Sequence, residues 1–441
     1  MIASMSSDSF SEAPAQETSA LERPATDGVL SMEPEGRGVA DGAVWTVRRS
    51  SVTDRATLEP VWRAMSDRAD HSYFTSWPWI STWLGLIGPR RRPELVEILR
   101  NGERVGLAIV CFRRHIQGRV VPVNGWFLHE TGHSDIDDLT VEHNGVLADR
   151  AYADEVHERF LDYCLAELPS ADTLFVSGVT EGTPLARAVE KCRKAGWNAP
   201  RVEKERPYFT VDLDRLRSEG KEYLTYLGSS TRSQIKRAIK AYEAECGPLV
   251  VRPARTPEEA RAFFAELLEL HNIAWQARGK EGAFAFQEIL DFHLRMVPRA
   301  IVGGDVQLLR ISAGDHILGV LYNFVWRGRV SSYQSGFAFS ERNKLKPGLV
   351  CHTLAVKHCM EAGLSTYDFL AGNHRYKAQL STDQGVMRWV RFERLTTKMG
   401  VLRQAREARN TLRNWKAGVA EWRARRAVAG AAEEAGESRE D

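Results

Sequence analysis

A basic loop in the C-terminal part of the sequence could bind an anion. Residues 330–338 are typical of a strand and residues 348–362 of a helix, and a polar loop joins them. A helix N-terminus presents free backbone N–H groups and the positive end of its dipole to such a ligand. Arg342, Lys344 and Lys346 would supply positive charge. Pro347 fits the first turn of a helix, and Gly348 permits close approach of the backbone to a phosphate. A solvated surface loop would have the same composition, and spacing alone leaves both alternatives open.

Two side chains in the same region could move or orient a proton. His293 is the best candidate for a general base, because an imidazole titrates near neutral pH. It lies among aromatic residues, so a buried structural histidine is the alternative. Asp368 lies on a predicted strand at 366–370, at the edge of an α/β sheet where active sites usually form. Its carboxylate could orient a histidine, bind acceptor hydroxyl groups or cap the next loop.

Two further groups of residues could bind substrates. Trp275 and Arg278 would suit a sugar, because an indole and a guanidinium can both stack on it, and a surface cation–π pair is the alternative. Arg232, Lys236 and Lys240 fall on one face of a predicted helix at 232–245. They could contact the phosphates of a donor or of a nucleotide-linked acceptor, or form a solvated face.

The elements that would position these residues indicate two α/β domains. In residues 205–395 the hydrophobic periodicity predicts long helices and then strands, at 257–276, 286–296, 306–312, 317–326, 330–338, 348–362 and 366–370. This order predicts mixed, mostly antiparallel sheets flanked by helices. Residues 45–200 show a similar alternation after an aromatic segment at 73–83. We therefore predict domains at 44–203 and 204–395.

The ends of the chain differ from these domains. Residues 1–43 contain few large apolar side chains, so we expect them to be disordered. Residues 396–428 predict a basic amphipathic helix whose apolar residues, from Val401 to Trp422, follow a heptad spacing. This helix could pair with a second copy of the chain, contact an anionic membrane surface or pack on its own domain. An acidic tail at 429–441 follows.

The bulk composition is that of a globular protein. The chain has 441 residues, 43% of them hydrophobic, and a formal net charge of +2, so its overall charge does not indicate a polyanion partner. The six cysteines include no CxxC pair, which indicates reduced thiols. No apolar run has the length of a membrane span, and the N-terminus lacks the pattern of a signal peptide. We expect a cytoplasmic protein without a metal centre, with peripheral membrane contact through 396–428 as an option.

A set of short motifs resembles the CelD/BioF-like acetyltransferase family, a part of the N-acetyltransferase-type (GNAT) superfamily. In the C-terminal half these motifs are His271, Trp275-x-x-Arg278-Gly279, Phe284, Phe292-His293, Gly319, Tyr333-x-x-Gly336-Phe337, Lys346-Pro347-Gly348, Tyr367-Asp368-Phe369-Leu370-x-Gly372 and Tyr376-Lys377. Upstream, Tyr73-Phe74-x-Ser76-x-x-Trp79-x-x-x-Trp83 and Asp135-x-Asp137-Asp138 are similar to the N-terminal half of the family. The resemblance covers about residues 44–394.

The resemblance implies tandem GNAT-like domains with an acyl donor bound to the second. GNAT donors are usually acetyl-coenzyme A or another acyl-coenzyme A, with the pyrophosphate on the loop that corresponds to residues 340–348. This loop has one glycine, where the common GNAT loop has G-x-G or G-x-A. By the same resemblance, Tyr376 would protonate the leaving thiolate, and Tyr333 and Lys377 would contact substrate. A buried structural tyrosine and a surface lysine are the alternatives.

These features together predict an acyltransferase. We expect an acyl group to pass from acyl-coenzyme A to an amine or hydroxyl of a sugar-like or cell-envelope polysaccharide precursor, which could be nucleotide- or lipid-linked. Attack would be direct in a ternary complex, because the sequence shows no motif for an activated Ser or Cys nucleophile. One alternative is a FemABX-like transferase, which takes an aminoacyl group from tRNA. The other is a non-catalytic module in polysaccharide synthesis.

Overall fold

The computed structural model describes residues 28–32, 42–117, 120–339 and 345–409, together with 411, 412, 415, 416 and 419. The strands of the N-terminal half are β1 (Gly28–Met32), β2 (Trp45–Ser51), β3 (Pro93–Arg100), β4 (Glu103–Gln117), β5 (Val121–Leu128), β6 (Leu147–Ala148), β7 (Thr173–Thr180) and β8 (Arg201–Asp212). Its helices are α1 (Arg55–Arg68), α2 (Trp77–Ile87), α3 (Ser134–Asp137), α4 (Ala153–Glu167) and α5 (Pro184–Lys191).

The C-terminal half repeats this pattern. Its helices are α6 (Leu213–Ser218), α7 (Tyr223–Tyr226), α8 (Ser229–Cys246), α9 (Pro257–Gln276), α10 (Gln287–Gly303), α11 (Pro347–Glu361) and α12 (Arg375–Leu380). Its strands are β9 (Leu249–Pro253), β10 (Val306–Ala313), β11 (His316–Trp326), β12 (Arg329–Phe337), β13 (Thr366–Ala371) and β14 (Asp383–Glu393). The predicted succession of two long helices, three strands, a helix and a strand is present as α9 to β13.

The two halves exchange their last strands within one mixed sheet. The strand order is β1-β2-β3-β4-β5-β7-β14-β8-β13-β12-β11-β10-β9, with β6 alongside β4. Strand β8, which ends the N-terminal half, lies between β14 and β13, and β14 lies between β7 and β8. These two strands pair antiparallel from Arg201↔Arg391 to Thr210↔Asp383. Each half therefore completes the sheet of the other, and the boundary predicted at 203/204 falls inside β8.

Local capping chemistry sets where the helices begin. Helix α9 starts after Thr256, whose hydroxyl accepts a hydrogen bond from the Glu259 N–H at 3.2 Å. Helix α1 starts after Asp54, whose carboxylate accepts hydrogen bonds from the N–H groups of Ala56 and Thr57. Helix α8 begins at Ser229, so the hydroxyl groups at 229–231 lie within its first turn and do not cap it.

An aromatic core joins the two halves. The predicted aromatic segment at 73–83 packs against α10 and β11, with Tyr73 stacked on Phe324 at 4.4 Å between ring centroids. Trp79 meets Phe292 edge to face at 4.8 Å. Aromatic contacts of this kind stabilise more than their buried area alone. The segment therefore holds the N-terminal half against the C-terminal half.

The ends of the chain make contacts with the N-terminal half. Strand β1 lies within residues 1–43, for which we expected no regular structure, and it pairs with β2. Residues 397–409 are helical, and Met399 and Leu402 pack against Val123. Arg406 also pairs with Glu393 at 2.9 Å. Most of the predicted helix beyond 409, and the acidic tail, lie outside the described residues. Across the residues that the structure describes, every helix is too short or too polar to span a lipid bilayer.

Candidate active site

Strands β12 and β13 separate at their carboxyl ends. They pair in parallel only at Arg329↔Thr366, Val330↔Tyr367 and Ser331↔Asp368, although β12 continues to Phe337 and β13 to Ala371. Helix α11 begins at Pro347, shortly after β12. An opening between two parallel strands therefore lies beside the N-terminus of a helix, which is an arrangement suited to an extended ligand with an anionic group.

The N-terminal half has an equivalent opening, and its own chain fills it. Strands β5 and β7 pair in parallel only from Gly125↔Thr173 to Phe127↔Phe175. Beyond that point the Asn144 side-chain N–H donates to the Leu128 carbonyl at 3.1 Å and to the Ser177 hydroxyl at 3.3 Å. The Asn144 backbone N–H donates to the Gly178 carbonyl at 3.0 Å. The loop 139–145 thus ties both strand ends together, which leaves the C-terminal half with the candidate site.

Asp368 is a buried anion on β13 at the base of the opening. Its Oδ2 lies 2.8 Å from His143 Nε2 and 3.1 Å from Arg329 Nε. Burial alone would raise the pKa of Asp368, but the charge of Arg329 and the contact with His143 outweigh it and hold this pKa well below its usual value. Asp368 therefore stays ionised, in contact with a histidine on Oδ2 and with the Leu370 N–H on Oδ1, and its part in the reaction stays a prediction.

Tyr376 lies in the first turn of α12, beside the opening. Its half-buried ring stacks on His352 at 5.1 Å and on His374 at 5.9 Å. Burial raises the pKa of Tyr376, so its phenol stays protonated at neutral pH. None of the described residues hydrogen-bonds to its hydroxyl. The side chain can therefore donate a proton, as the expected acid must.

Lys377 and Tyr333 are more buried than we expected. The Lys377 ammonium lies inside the protein and donates to the carbonyls of Leu370 at 3.2 Å and Ala371 at 2.8 Å. Burial lowers the pKa of Lys377, while Glu142 and Asp368 oppose this shift. Tyr333 donates its hydroxyl to the Leu139 carbonyl at 2.7 Å. Lys377 thus places a positive charge at the end of β13, and Tyr333 is a structural contact between the halves.

His293 is a core residue, and this placement contradicts the expected role as a base. Its side chain is fully buried among Phe264, Phe284, Phe292, Tyr322 and Tyr333. Its Nδ1 lies 3.1 Å from the Tyr322 hydroxyl, and burial lowers the pKa of His293 to about 3. A fully buried, neutral imidazole does not contact an acceptor substrate and therefore cannot take a proton from it.

The predicted anion loop is described only in part. Lys346 is exposed at the N-cap of α11, Pro347 takes the first helical position and Gly348 follows it. Helix α11 thus begins one residue before the predicted start. Arg342 and Lys344 lie outside the described residues. The exposed helix N-terminus with one lysine is the part of the predicted anion site that the structure describes.

Trp275 and Arg278 lie on the opposite side of the opening from α11. The Arg278 guanidinium lies 5.5 Å from the Trp275 ring and 5.7 Å from the ring of Phe339, just after β12. The surface cation–π pair is thus present, and it extends to the end of β12. A cavity of about 300 Å³ adjoins it, lined by Asn272, Trp275, Gln276, Lys280, Glu281, Gly282, Phe284 and Ala285. Its mix of aromatic, amide and charged groups could bind a polar acceptor.

The sequence reasoning missed Glu142, His143 and His374. His143 is separated from Asp368 by 225 positions, so no local spacing relates the two. His374 is a neighbour of Tyr376, and that position could have drawn attention to it. Burial, followed by the charges of Lys377 and Arg278, lowers the pKa of His374, so its imidazole is neutral at pH 7. It is half-buried, unlike His293, and therefore a better-placed base.

A basic groove lies on α8. It has a volume of about 420 Å³ and is lined by Ser229, Arg232, Ser233, Lys236, Arg237 and Lys240. The structure thus brings together the three predicted cations of this helix and adds Arg237. Arg232 donates to the Thr225 carbonyl, and Arg237 to the Ser233 carbonyl. In the described part of the chain, no group of three or more His, Cys, Asp or Glu side chains is arranged to hold a metal ion.

Comparison with known proteins identifies the C-terminal half. Residues 229–378 match the family model described as an acetyltransferase (GNAT) domain. This span contains the opening, α11 and Tyr376. No curated protein gives a significant match to the chain. Residues 229–378 therefore resemble a GNAT acetyltransferase domain, and the chain is an acyltransferase; the narrower CelD/BioF-like family stays a prediction.

Several solved structures are similar to this chain, and the one with a TM-score of 0.50 shows the fold over most of it. FemX has a TM-score of 0.50 and 14% identity, over 77% of this chain and 96% of FemX. L-PGS from Bacillus licheniformis has a TM-score of 0.44 and 12% identity, over 79% and 96% of the two chains. A tandem GNAT protein from the clavulanic acid biosynthesis pathway has a TM-score of 0.39 and 12% identity, over 78% and 98%. The likeness to FemX, with the mixed sheet flanked by helices, confirms the predicted fold class.

Proposed function

We propose that this acyltransferase moves an acyl group from acyl-coenzyme A to an amine or hydroxyl of a sugar-like or cell-envelope precursor. The observation that supports the donor is the separation of β12 and β13 beside the exposed N-terminus of α11. The strand edges offer backbone hydrogen bonds to an extended arm that carries amide groups. Lys346 and the first N–H groups of α11 favour a pyrophosphate at one end of it.

The residues around the opening can divide the chemistry between them. Tyr376 keeps its proton and can pass it to the leaving thiolate. Lys377 places a buried positive charge at the end of β13, which favours the negative charge that develops on the acyl oxygen. His374 takes the role of base in place of His293, because it is neutral and half-buried beside Tyr376.

The acceptor is assigned to the side of Trp275 and Arg278. Their stacked faces and the adjoining cavity of about 300 Å³ suit a ring with several hydroxyl groups. Arg278 can also pair with a phosphate of a nucleotide- or lipid-linked acceptor. The acceptor and the donor would then reach the opening from opposite faces of the sheet, which is compatible with direct attack in a ternary complex.

A second candidate is an aminoacyl-tRNA-dependent transferase of the FemABX kind. The basic groove of α8 favours it, because four cations along one helix suit a nucleic acid backbone better than a single pyrophosphate. Under this alternative the opening would hold the aminoacyl end of the tRNA.

Calorimetric titration separates the two donors. The proposal predicts that acetyl-coenzyme A binds the full chain with a stoichiometry of one and that Lys346→Ala weakens this binding. A replacement of Arg232, Lys236 and Lys240 by alanine should leave acetyl-coenzyme A binding unchanged. Absence of acetyl-coenzyme A binding, together with a tRNA mobility shift that the triple variant abolishes, would favour the second candidate.

A further inference from the structure

Side chains bind the backbone of β13 at the point where it leaves β12. The Leu370 N–H donates to Asp368 Oδ1 at 2.8 Å, and the Ala371 N–H donates to Glu142 Oε2 at 2.7 Å. The carbonyls of both residues accept from Lys377 Nζ. Four backbone groups of two successive residues are thus held by three carboxylate or ammonium groups. A strand that is paired normally would use its neighbours for these bonds.

The backbone at this point has an unusual conformation. Leu370 has a φ of +61°, in the left-handed region that leucine rarely adopts. The register between β13 and β8 also shifts between Asp368 and Ala371. Such a conformation persists only where the surroundings hold it in place. The side chains on the four backbone groups supply that support.

Glu142 reaches this strand from the other half of the protein. It lies on the loop 139–145, which fills the opening of the N-terminal half. That loop packs tightly on Gly178, where an added Cβ would lie 2.5 Å from the Val141 carbonyl oxygen. Gly178 has a φ of +62° and meets the loop through the Asn144 N–H. Glu142 is therefore presented by a fixed loop, and only about 8% of its surface is exposed.

The charges on the two sides of the strand are complementary. The Glu142 carboxylate lies on the N–H of Ala371, and the Lys377 ammonium lies on its carbonyl. Hydrogen bonds to charged groups are stronger than those between neutral groups, and more so in a buried site. Without these partners, the N–H and C=O groups of 370–371 would lose their hydrogen bonds in a buried site, and the end of β13 would no longer be held in its present conformation.

We propose that Glu142 is a positioning residue which, together with Lys377, holds the end of β13 away from β12. The N-terminal half thereby builds the donor opening of the C-terminal half. The part of this inference that concerns the donor rests on the proposed function. The hydrogen bonds of Glu142 and Lys377 to the strand do not depend on any ligand. The loop 139–145 thus has two effects: it fills the opening of the N-terminal half, and through Glu142 it maintains the opening of the C-terminal half.

The test compares Glu142→Ala, Glu142→Gln and a control, Asp138→Ala, which removes an exposed carboxylate of the neighbouring segment. Amide hydrogen exchange of the segment 366–376 is measured without ligand, and acetyl-coenzyme A affinity by calorimetry. Glu142→Ala should speed exchange at Ala371 and weaken affinity, each about tenfold. Glu142→Gln should restore both to within about threefold, because its amide oxygen can still accept from Ala371. Asp138→Ala should change neither.

The two measurements test different claims: hydrogen exchange tests the positioning role of Glu142, and calorimetry tests the proposed donor. If Glu142→Ala leaves the exchange of Ala371 unchanged, or if Asp138→Ala speeds it equally, the positioning role is wrong. If the unaltered chain does not bind acetyl-coenzyme A, the proposed donor is wrong, and the exchange data still decide the role of Glu142. A thermal melt of each variant shows whether a change in affinity comes from loss of the fold. If Glu142→Ala does not fold, the comparison of Glu142→Gln with the unaltered chain still tests the positioning role.

Discussion

His143 Nε2 lies 2.8 Å from Asp368 Oδ2, and this contact joins the two halves of the protein beneath the β12–β13 opening. His143 Nδ1 lies 2.8 Å from the Thr180 hydroxyl, so both ring nitrogens are occupied. Arg329 approaches the same carboxylate oxygen. Asp368 is thus the centre of a buried polar junction, and the histidine that it orients is a support of the site.

Replacement of Asp368 by asparagine should destabilise the protein by about 3 kcal/mol, because Arg329 and His143 lose a buried anion. Chemical denaturation measures the free energy of unfolding. Asp383→Asn is the control, since Asp383 pairs with Arg215 at the surface, and it should cost much less stability than Asp368→Asn. Equal losses in the two variants would show that the Asp368 junction contributes no more than a surface pair.

Replacement of His293 by alanine should lower stability by about 2 kcal/mol and leave turnover by the folded protein unchanged, because the imidazole fills an aromatic core. The pKa of His293 is about 3 in the folded chain and about 6.5 when unfolded, so the unfolded state binds the extra proton between these values. Stability should therefore fall as pH drops from 6.5 towards 3, and less steeply in the variant. Loss of turnover at unchanged stability would restore His293 as a base.

Tyr376→Phe should keep the melting temperature and reduce thiol release from acetyl-coenzyme A by roughly 10²-fold or more, as expected when a general acid is removed. The ring contacts with His352 and His374 remain in phenylalanine, so only the hydroxyl is tested. Tyr226→Phe, at a half-buried site on α7, is the matched control and should keep full activity. Full activity of Tyr376→Phe would leave the tyrosine a structural role only.

The rate should rise with pH through a value below 6.5, because the pKa of His374 is lowered and the base acts in its neutral form. The dependence of kcat/KM on pH reports this titration in the free enzyme. His374→Gln should remove the acidic limb and slow the reaction by about 10²-fold. An acidic limb that persists in this variant would assign the base to another group.

Much of the fold could be predicted from the sequence because its signals are local. The order of helices and strands from α9 to β13 follows from hydrophobic periodicity and turn residues, and Pro347 marks the start of α11. The exchange of β8 and β14 could not be predicted in this way. Both strands have ordinary patterns, and their places in the sheet depend on contacts between distant segments.

The site was predictable only where its residues share one short segment. Tyr376, Lys377 and Asp368 follow one another along β13 and α12, and the structure gathers them at the opening. His293 has an aromatic sequence context that is more often found in a core than in a site, and the structure places it in the core. Glu142 reaches Ala371 across 229 positions, so only the folded chain could reveal the contact.

Hydrogen exchange with and without acetyl-coenzyme A tests the central claim most directly, because it maps where the donor lies on the full chain. The β12–β13 opening predicts protection at 332–339, at 345–350 and at 370–376, and none at the filled opening of the N-terminal half at 125–130 and 177–180. Protection confined to that filled opening or to α8, or no protection at a saturating concentration, would contradict the claim.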